Sequence, residues 1–202
     1  MLSARYKDRI TRFADPVAAV LVRLRLRPNQ LTVFGLVLSL LSALAYARGR
    51  IPLGGVLLGL AGLLDLLDGS VARLSGQVTP FGAFLDSVMD RYSDLTVLLG
   101  ILYFYIQLDR TPEVFLAMAT LVGSTMVSYT RARAEGVGVQ CAVGLMERGE
   151  RVLILIVASL ADLLSLALWV LAPLINWTAL QRIYHTWRIT KFGDRGPGFG
   201  AR

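Results

Sequence analysis

Six apolar segments separated by short polar turns dominate the pattern of this sequence. Most of them approach or exceed the roughly 20 residues that a helix needs to cross a bilayer core of about 30 Å. Pro28, Asn29 and Thr32 form a helix-start signal at the first segment. The pattern therefore predicts an all-α membrane protein with six transmembrane helices, over residues 28–47, 53–74, 81–107, 113–134, 152–164 and 166–185.

The segments that flank this pattern have a different character. Residues 3–25 alternate basic and apolar residues at helical spacing, with an interruption at Pro16. We therefore expect an N-terminal interfacial amphipathic helix within residues 1–27, and a solvated basic arm is the alternative. The six-helix domain then spans residues 28–190, and the Gly-rich residues 191–202 are predicted to form a flexible tail.

Composition agrees with the membrane assignment. Of the 202 residues, 55% are hydrophobic and only 17% are charged, and the mean hydropathy is +0.59. The net charge of +7 alone would suit nucleic acid, but the charged residues lie at the ends of the apolar segments. An anionic lipid surface and anionic substrates are therefore the expected partners, with no nucleic acid. Cys141 is the single cysteine, which excludes an intrachain disulfide.

The distribution of basic residues predicts the orientation in the membrane. With six spans, only Arg48, Arg50 and Arg110 of the 21 Lys and Arg residues fall on the side opposite the termini. The positive-inside rule places the basic side in the cytoplasm. We therefore expect a multi-pass protein of the cell (plasma) membrane, whose second span ends and third span begins at the cytoplasmic face.

Four aspartates lie inside these two spans. Asp65 and Asp68 are three residues apart, and Asp86 and Asp90 are four apart, so each pair shares one face of its helix. A carboxylate in the middle of a bilayer helix costs about 2.5–3.5 kcal/mol, which sums to roughly 10–14 kcal/mol for four. Divalent cations prefer hard oxygen ligands and neutralise several acids at once. The sequence thus predicts two divalent cations between the helices, with Mg²⁺ the first choice and Mn²⁺ the second.

The residues around these acids have a defined spacing. They follow the pattern Asp65-x2-Asp68-Gly69-x2-Ala72-Arg73-x8-Gly82-x3-Asp86-x3-Asp90. This pattern resembles the signature of the CDP-alcohol phosphotransferase family. The resemblance implies transfer of a phosphatidyl-type group from a CDP-linked lipid to an alcohol, with release of CMP and a divalent metal pair. Phosphoryl transfer independently requires neutralised phosphoryl oxygens and an aligned nucleophile, which a carboxylate-bound metal pair provides.

The resemblance also implies roles for individual residues. Asp65, Asp68 and Asp86 would be metal ligands, and Asp90 would serve the second metal and act as the general base for the acceptor hydroxyl. Helix packing is the alternative role for Gly69 and Gly82, and extension of the side chain to the membrane surface is the alternative role for Arg73. The implied contacts to the CDP-linked lipid are Asn29, Gln30, Leu31, Thr32, Gly69, Arg73 and Thr79.

The resemblance extends to the branch of the family that uses inositol phosphate, over residues 85–94, 127–135 and 147–151. That branch implies myo-inositol phosphate as the acceptor, CDP-diacylglycerol or CDP-archaeol as the donor, and a homodimer. Arg131, Arg151 and Arg182 match the positions that hold the acceptor phosphate, and a dianionic acceptor needs such cations. Relatives often carry lysine at the position of Arg131, and positive-inside anchoring is the alternative for all three arginines.

Two other functions stay open at this point. Within the family, glycerol 3-phosphate, serine or another alcohol could be the acceptor, and apolar grooves accept ester-linked and ether-linked lipids alike. In a different class, intramembrane acids also line ion paths, as in a divalent-cation transporter. The acids cluster at one membrane face beside glycines and an arginine, and this arrangement favours the enzyme.

Overall fold

The computed structural model describes residues 15–192, which form helices and connecting turns without a strand. The described part of α1 covers residues 15–23. It is helical through Pro16, where an interruption was expected. Most of the predicted interfacial helix, residues 1–14, and the tail from residue 193 onward lie outside the described residues. The other helices are α2 Pro28–Ala47, α3 Ile51–Leu74, α4 Pro80–Gln107, α5 Thr111–Gly136, α6 Arg148–Leu160 and α7 Leu164–Phe192.

Prolines and capping side chains set where several helices begin. α2, α3 and α5 each carry proline in the first turn, where its missing N–H has no helical partner to lose. α3 therefore begins at Ile51, two residues before the predicted start. α6 begins at Arg148 and not at residue 152, because the Glu147 N–H donates to Glu150 Oε2 at 2.8 Å and closes the first turn. α7 continues to Phe192, so the first two residues of the predicted tail are helical.

The chain divides into two compact units, Met1–Gly100 and Ile101–Arg202. In the first unit, α2 and α3 approach closely at Gly54. A Cβ at this position would lie 2.9 Å from the ring of Tyr46, so the contact requires glycine. The Ser42 hydroxyl donates to the Gly54 carbonyl at 2.8 Å. These contacts fix the axial position of α3 against α2, and with it the height of the acids on α3.

In the second unit, α5 and α7 pack side by side. A Cβ on Gly123 of α5 would lie 2.8 Å from Asn176 Nδ2 of α7, so glycine permits the close approach. The Asn176 side chain donates to the Ala119 carbonyl at 3.0 Å. Near the start of both helices, the Ser165 hydroxyl donates to the buried carboxylate of Glu113 at 3.0 Å. Because these contacts occur in the same order along both helices, α5 and α7 run parallel.

Three of the described helices, α2, α3 and α7, are long and apolar enough to cross a bilayer. With 13 residues, α6 reaches only about 20 Å, which is short of a hydrocarbon core of about 30 Å. α4 and α5 are long, but each carries a polar, charged segment at one end. The prediction of an all-helical protein is thus confirmed for the described residues, whereas the count of six spans stays a prediction. The outer face of α2 is apolar, as contact with lipid requires, with exposed Val33, Phe34, Val37, Leu40, Leu41 and Leu44.

Candidate active site

Three carboxylates from two helices converge in the first unit. Asp65 and Asp68 lie one turn apart on α3, and Asp86 lies near the start of α4. One ligand oxygen from each lies within 4.8 Å of the others. Asp68 is buried, and Asp65 and Asp86 are partly buried. The structure therefore brings together three of the four acids that the sequence assigns to metal binding.

The fourth acid, Asp90, follows Asp86 by one turn on α4 and lies outside this close group. Its side chain is 16% exposed, and its Oδ2 lies 3.6 Å from a terminal guanidinium nitrogen of Arg91. Asp90 therefore lies on α4, the helix that carries Asp86, and the Arg91 guanidinium lies beside it.

The chemistry of the clustered oxygens fits a divalent cation. Ligand oxygens bound to one Mg²⁺ or Ca²⁺ at about 2.0–2.6 Å lie up to roughly 4–5 Å apart. The 4.8 Å limit on the three aspartates agrees with that separation. Like charges repel at this distance, and a hard cation that accepts carboxylate oxygens relieves the repulsion. The cluster therefore has both the spacing and the donor type of a divalent-metal site.

Thr32 connects α2 to this cluster. Its hydroxyl donates to Asp68 Oδ2 at 2.8 Å. The Thr32 Oγ1 atom also lies 3.2 Å from the carbonyl oxygen of Pro28. A hydrogen bond from a neighbouring group to a metal-binding carboxylate fixes the direction of its oxygens. The family resemblance implies a contact between Thr32 and the CDP-linked lipid, and the structure shows its hydroxyl bonded to an acid of the cluster.

A groove of about 700 Å³ opens beside the start of α2. This volume lies within the range of about 300–1,000 Å³ that is typical of small-molecule sites. Asn29, Gln30 and Thr79 were predicted to contact the CDP-linked lipid, whereas the other lining residues were not. The wall combines polar groups with apolar ones and is formed by Arg27, Pro28, Asn29, Gln30, Val33, Phe34, Gly76, Gln77 and Thr79.

Two of the predicted lipid-binding residues also cap the helices at this groove. Gln30 Oε1 accepts the Arg27 N–H at 2.9 Å at the start of α2. Thr79 Oγ1 accepts the Gly82 N–H at 3.0 Å at the start of α4. A Cβ on Gly82 would lie 3.5 Å from Asn29 Oδ1, so the first turns of α2 and α4 lie side by side. The two caps therefore shape the groove wall.

The remaining predicted lipid contacts in the first unit have different environments. The Arg73 guanidinium donates to the Ser70 hydroxyl at 2.9 Å, and its NH1 lies 3.6 Å from where a Cβ on Gly69 would be. Arg73 is otherwise exposed at the end of α3. Leu31 is buried in a hydrophobic cluster with α1 and α3, so its side chain belongs to the core. Its main-chain N–H donates to the Arg27 carbonyl at 3.4 Å, so Leu31 is the least suited of the predicted contacts to bind a ligand.

In the second unit, Arg182 of α7 is 3% exposed and is held by main-chain carbonyls. Its Nε donates to the carbonyl of Val143 at 2.9 Å, and its NH1 donates to that of Val127 at 2.6 Å. Arg131 of α5 is among the charged groups that act electrostatically on this guanidinium. Arg182 therefore joins α7 to α5 and to the loop between α5 and α6.

The other two predicted acceptor arginines differ from each other in burial. The side chain of Arg131 is 52% exposed, and its Nε lies 2.9 Å from Glu135 Oε1, one turn further along α5. Arg151 is only 4% exposed and lies in the first turn of α6. A buried arginine is the stronger candidate for binding a phosphate, because its interactions are less screened by water.

Comparisons with known proteins identify the family of this chain. The model of the CDP-alcohol phosphatidyltransferase family matches residues 25–188. An archaetidylinositol phosphate synthase from Pyrococcus horikoshii is 38% identical over 194 residues, which cover 96% of this chain and 100% of that protein. A phosphatidylinositol phosphate synthase from Mycobacterium tuberculosis is 35% identical over 205 residues, covering 95% of this chain and 94% of that protein.

Two solved structures of the Mycobacterium tuberculosis phosphatidylinositol phosphate synthase are also similar. The one with CDP-DAG bound has a TM-score of 0.82 and 32% identity, and covers 95% of this chain and 98% of that chain. The one with manganese and citrate has a TM-score of 0.81 and 33% identity, and covers 94% and 92%. The chain therefore belongs to the CDP-alcohol phosphatidyltransferase family, and the resemblance seen in the sequence is confirmed.

Proposed function

We propose that this protein transfers the phosphatidyl or archaetidyl group of a CDP-linked lipid to myo-inositol phosphate and releases CMP. The observation that carries the proposal is the group of three aspartates within 4.8 Å on α3 and α4, because a diphosphate-linked donor needs such a cation site. The names of the relatives support inositol phosphate as the acceptor, and the CDP-DAG-bound relative supports the donor.

In this proposal Asp65, Asp68 and Asp86 would be ligands of two divalent cations. Asp90 would contribute to the second cation. The relative with bound manganese supports a divalent cation, and Mg²⁺ is the physiological choice that we favour. When bound, the cations neutralise the phosphoryl oxygens of the donor. Thr32 keeps Asp68 in a fixed orientation through its hydrogen bond of 2.8 Å.

Asp90 is the proposed general base. Its carboxylate takes the proton of the acceptor hydroxyl, and the hydroxyl oxygen then forms a bond to the phosphorus that carries the lipid. The bond from that phosphorus to the bridging oxygen breaks, and CMP leaves with the electron pair. The position of Asp90 one turn beyond Asp86 supports this separation of roles, because Asp90 lies outside the close group of three oxygens.

The groove in the first unit is the proposed site for the donor, CDP-diacylglycerol or CDP-archaeol. Its polar wall suits the nucleotide, whereas Val33 and Phe34 suit the start of a lipid chain. Arg73, with a planar guanidinium at the end of α3, is the proposed ligand of a diphosphate oxygen. The proposed donor contacts are Asn29, Gln30, the main chain of Leu31, Thr32, Gly69, Arg73 and Thr79.

Arg131, Arg151 and Arg182 in the second unit are the proposed ligands of the acceptor phosphate. The burial of Arg151 and Arg182 supports the proposal, because two buried cations are stabilised by a dianion. The exposed Arg131, paired with Glu135, is expected to contribute less.

The proposed membrane architecture has six spans within residues 28–190, an interfacial helix in residues 1–27 and a tail after α7. Basic residues concentrated on one side support a plasma-membrane protein whose metal cluster faces the cytoplasm. A homodimer is also proposed, on the family resemblance.

An acceptor exchange tests the reaction. Purified protein with radiolabelled CDP-lipid and Mg²⁺ is supplied with myo-inositol phosphate, myo-inositol, glycerol 3-phosphate or serine, and CMP release is measured. We expect only myo-inositol phosphate to stimulate CMP release, because the buried arginines need the charge of a phosphate group on the acceptor. Stimulation by another acceptor, with none by myo-inositol phosphate, would remove the proposed acceptor. Metal flux into liposomes without any CMP release would replace the enzyme with a transporter.

A further inference from the structure

The segment between α5 and α6, residues 137–147, is bound to a polar stripe on α7. We call this segment the strap. Three side chains of the stripe, Thr178, Arg182 and His185, follow the spacing of one helix face and contact main-chain atoms of the strap. The contacts are the Met146 N–H to Thr178 Oγ1 at 3.2 Å, Arg182 Nε to the Val143 carbonyl at 2.9 Å, and His185 Nε2 with the Gln140 carbonyl at 3.3 Å.

Thr178 is the buried centre of this arrangement. Its side chain is 0% exposed, and its hydroxyl donates to the Leu174 carbonyl of its own helix at 2.8 Å. The same oxygen accepts the Met146 N–H, so a single hydroxyl satisfies one group in α7 and one in the strap. A buried main-chain N–H without an acceptor is costly, and Thr178 is the acceptor of this one.

Gly144 allows the strap to pack closely against Thr178. Its φ is +138°, a conformation that side chains disfavour, and a Cβ there would lie 2.5 Å from Thr178 Cγ2. Earlier in the strap, Val139 and Cys141 form a hydrophobic cluster with Ala134 of α5. The strap is therefore fixed between α5 and α7 by main-chain hydrogen bonds and by packing.

The contact at Thr178 comes immediately before the start of α6. Met146 precedes Glu147, whose N–H begins the capping interaction of α6, and Arg151 lies in the first turn of that helix. A shift of the strap at Met146 would therefore move the start of α6 and the Arg151 side chain with it.

We propose that Thr178 is a positioning residue for the acceptor site, an inference that rests on the proposed function. Its hydroxyl holds the strap on α7 at the point where α6 begins, and so sets the position of the Arg151 guanidinium. Thr178 itself touches no substrate. Its loss acts on recognition of the phosphorylated acceptor and leaves recognition of the CDP-linked lipid unchanged.

The test compares three variants of the full-length protein in detergent or nanodiscs. Thr178→Val keeps the shape and removes the hydroxyl, whereas Thr178→Ser keeps the hydroxyl. Thr120→Val is the matched control, because Thr120 is also buried and its hydroxyl donates within its own helix to the Leu116 carbonyl at 2.8 Å. We expect Thr178→Val to raise the acceptor KM about tenfold, since small displacements of a binding group have effects of this size or larger. The CDP-lipid KM should stay unchanged, and Thr178→Ser and Thr120→Val should resemble the wild type.

Hydrogen exchange at the Met146 amide gives a readout that is independent of activity. We expect faster exchange in Thr178→Val and wild-type exchange in Thr178→Ser and Thr120→Val. Unchanged exchange in Thr178→Val would overturn the inference whichever alcohol the enzyme uses. Faster exchange without a change in acceptor KM would overturn the link between the strap and the acceptor, as would an equal rise in both KM values.

Two further results keep the inference and the proposed function apart. If wild-type protein uses another alcohol, the proposed acceptor is wrong, and the KM comparison is made with that alcohol. If Thr178→Val fails to fold, Gly144→Ala takes its place, because the added methyl group pushes the strap away from Thr178. An acceptor KM for Gly144→Ala equal to that of the wild type would then overturn the inference.

Discussion

The two units hold their charged groups by different means. In the first unit, Asp65, Asp68 and Asp86 project from two helices at helical spacing, and a hydroxyl from a third helix holds one of them. In the second unit, Arg182 is held by carbonyls of a loop and of α5, and Arg151 lies in the helix that the loop begins. We therefore expect metal binding to depend on helix packing and, under the proposals above, acceptor recognition to depend on the position of the strap.

The largest effect should come from removing the acid at the centre of the first unit. Asp68→Ala should lower CMP release on the order of 10³-fold or more, because the cation that neutralises the phosphoryl oxygens loses a buried ligand. The measurement is CMP release against Mg²⁺ concentration. Asp109→Asn is the control, since Asp109 is an exposed acid outside the cluster, and asparagine tolerates its φ of 53°. Unchanged activity of Asp68→Ala at limiting Mg²⁺ would refute the ligand assignment.

The next effect separates proton transfer from metal binding within the same unit. Asp90→Asn should reduce kcat by about 10²–10⁴-fold, the usual contribution of a general base, while binding of the CDP-lipid and much of the metal affinity remain. Single-turnover CMP release and equilibrium CDP-lipid binding measure the two properties. Turnover close to that of the wild type would show that Asp90 is not the base.

In the second unit, burial should rank the arginines. Arg151→Ala should raise the acceptor KM by about 10–100-fold, because a buried charged hydrogen bond is lost, whereas the exposed Arg131→Ala should raise it only about two- to fivefold. The CDP-lipid KM should change in neither variant. Arg133→Ala, an exposed arginine of the same helix as Arg131, is the control. Equal changes in both KM values of Arg151→Ala would indicate misfolding and not a lost acceptor contact.

The next effect, at the lower end of the range expected for Arg151→Ala, should appear at the hydrogen bond that supports the cluster. Thr32→Val should raise the Mg²⁺ concentration for half-maximal activity about tenfold, because Asp68 loses the donor that orients it. Thr32→Ser retains the hydroxyl and should restore the wild-type value. If Thr32→Val changes the CDP-lipid KM and leaves the Mg²⁺ dependence unchanged, Thr32 is a donor contact and not a support for the acid.

The first unit could be predicted from sequence further than the second because its site is built from local spacing. A separation of three residues places Asp65 and Asp68 on one helix face without any knowledge of the fold, and Pro28 marks the start of α2. The bond between Thr32 and Asp68 joins residues 36 apart, and no periodicity reports it. Arg27 and Gln77 were missed as groove residues for the same reason, since the groove exists only after α2 and the turn before α4 come together.

In the second unit, the sequence suggested arginines as candidate acceptor ligands but gave no indication of the contacts that hold them. The contact between Thr178 and Met146 spans 32 residues and uses a main-chain N–H, which every residue except proline offers. The start of α6 was placed four residues late because the apolar run begins at Val152, whereas the capping pair of Glu147 and Glu150 begins the helix earlier. Apolar periodicity locates the buried part of a helix and leaves its polar first turn undefined.

The strap is recognised by α7 through main-chain atoms, and this has an evolutionary consequence. Gln140, Ala142 and Leu145 are exposed, so their side chains are free to diverge among related proteins without loosening the strap. Gly144 is not free to diverge, because only a residue without a side chain fits against α7 at its φ of +138°. A saturation library across the strap should therefore tolerate almost any side chain at these three positions while rejecting replacements of Gly144, a contrast that conservation of hydrophobicity alone would never reveal.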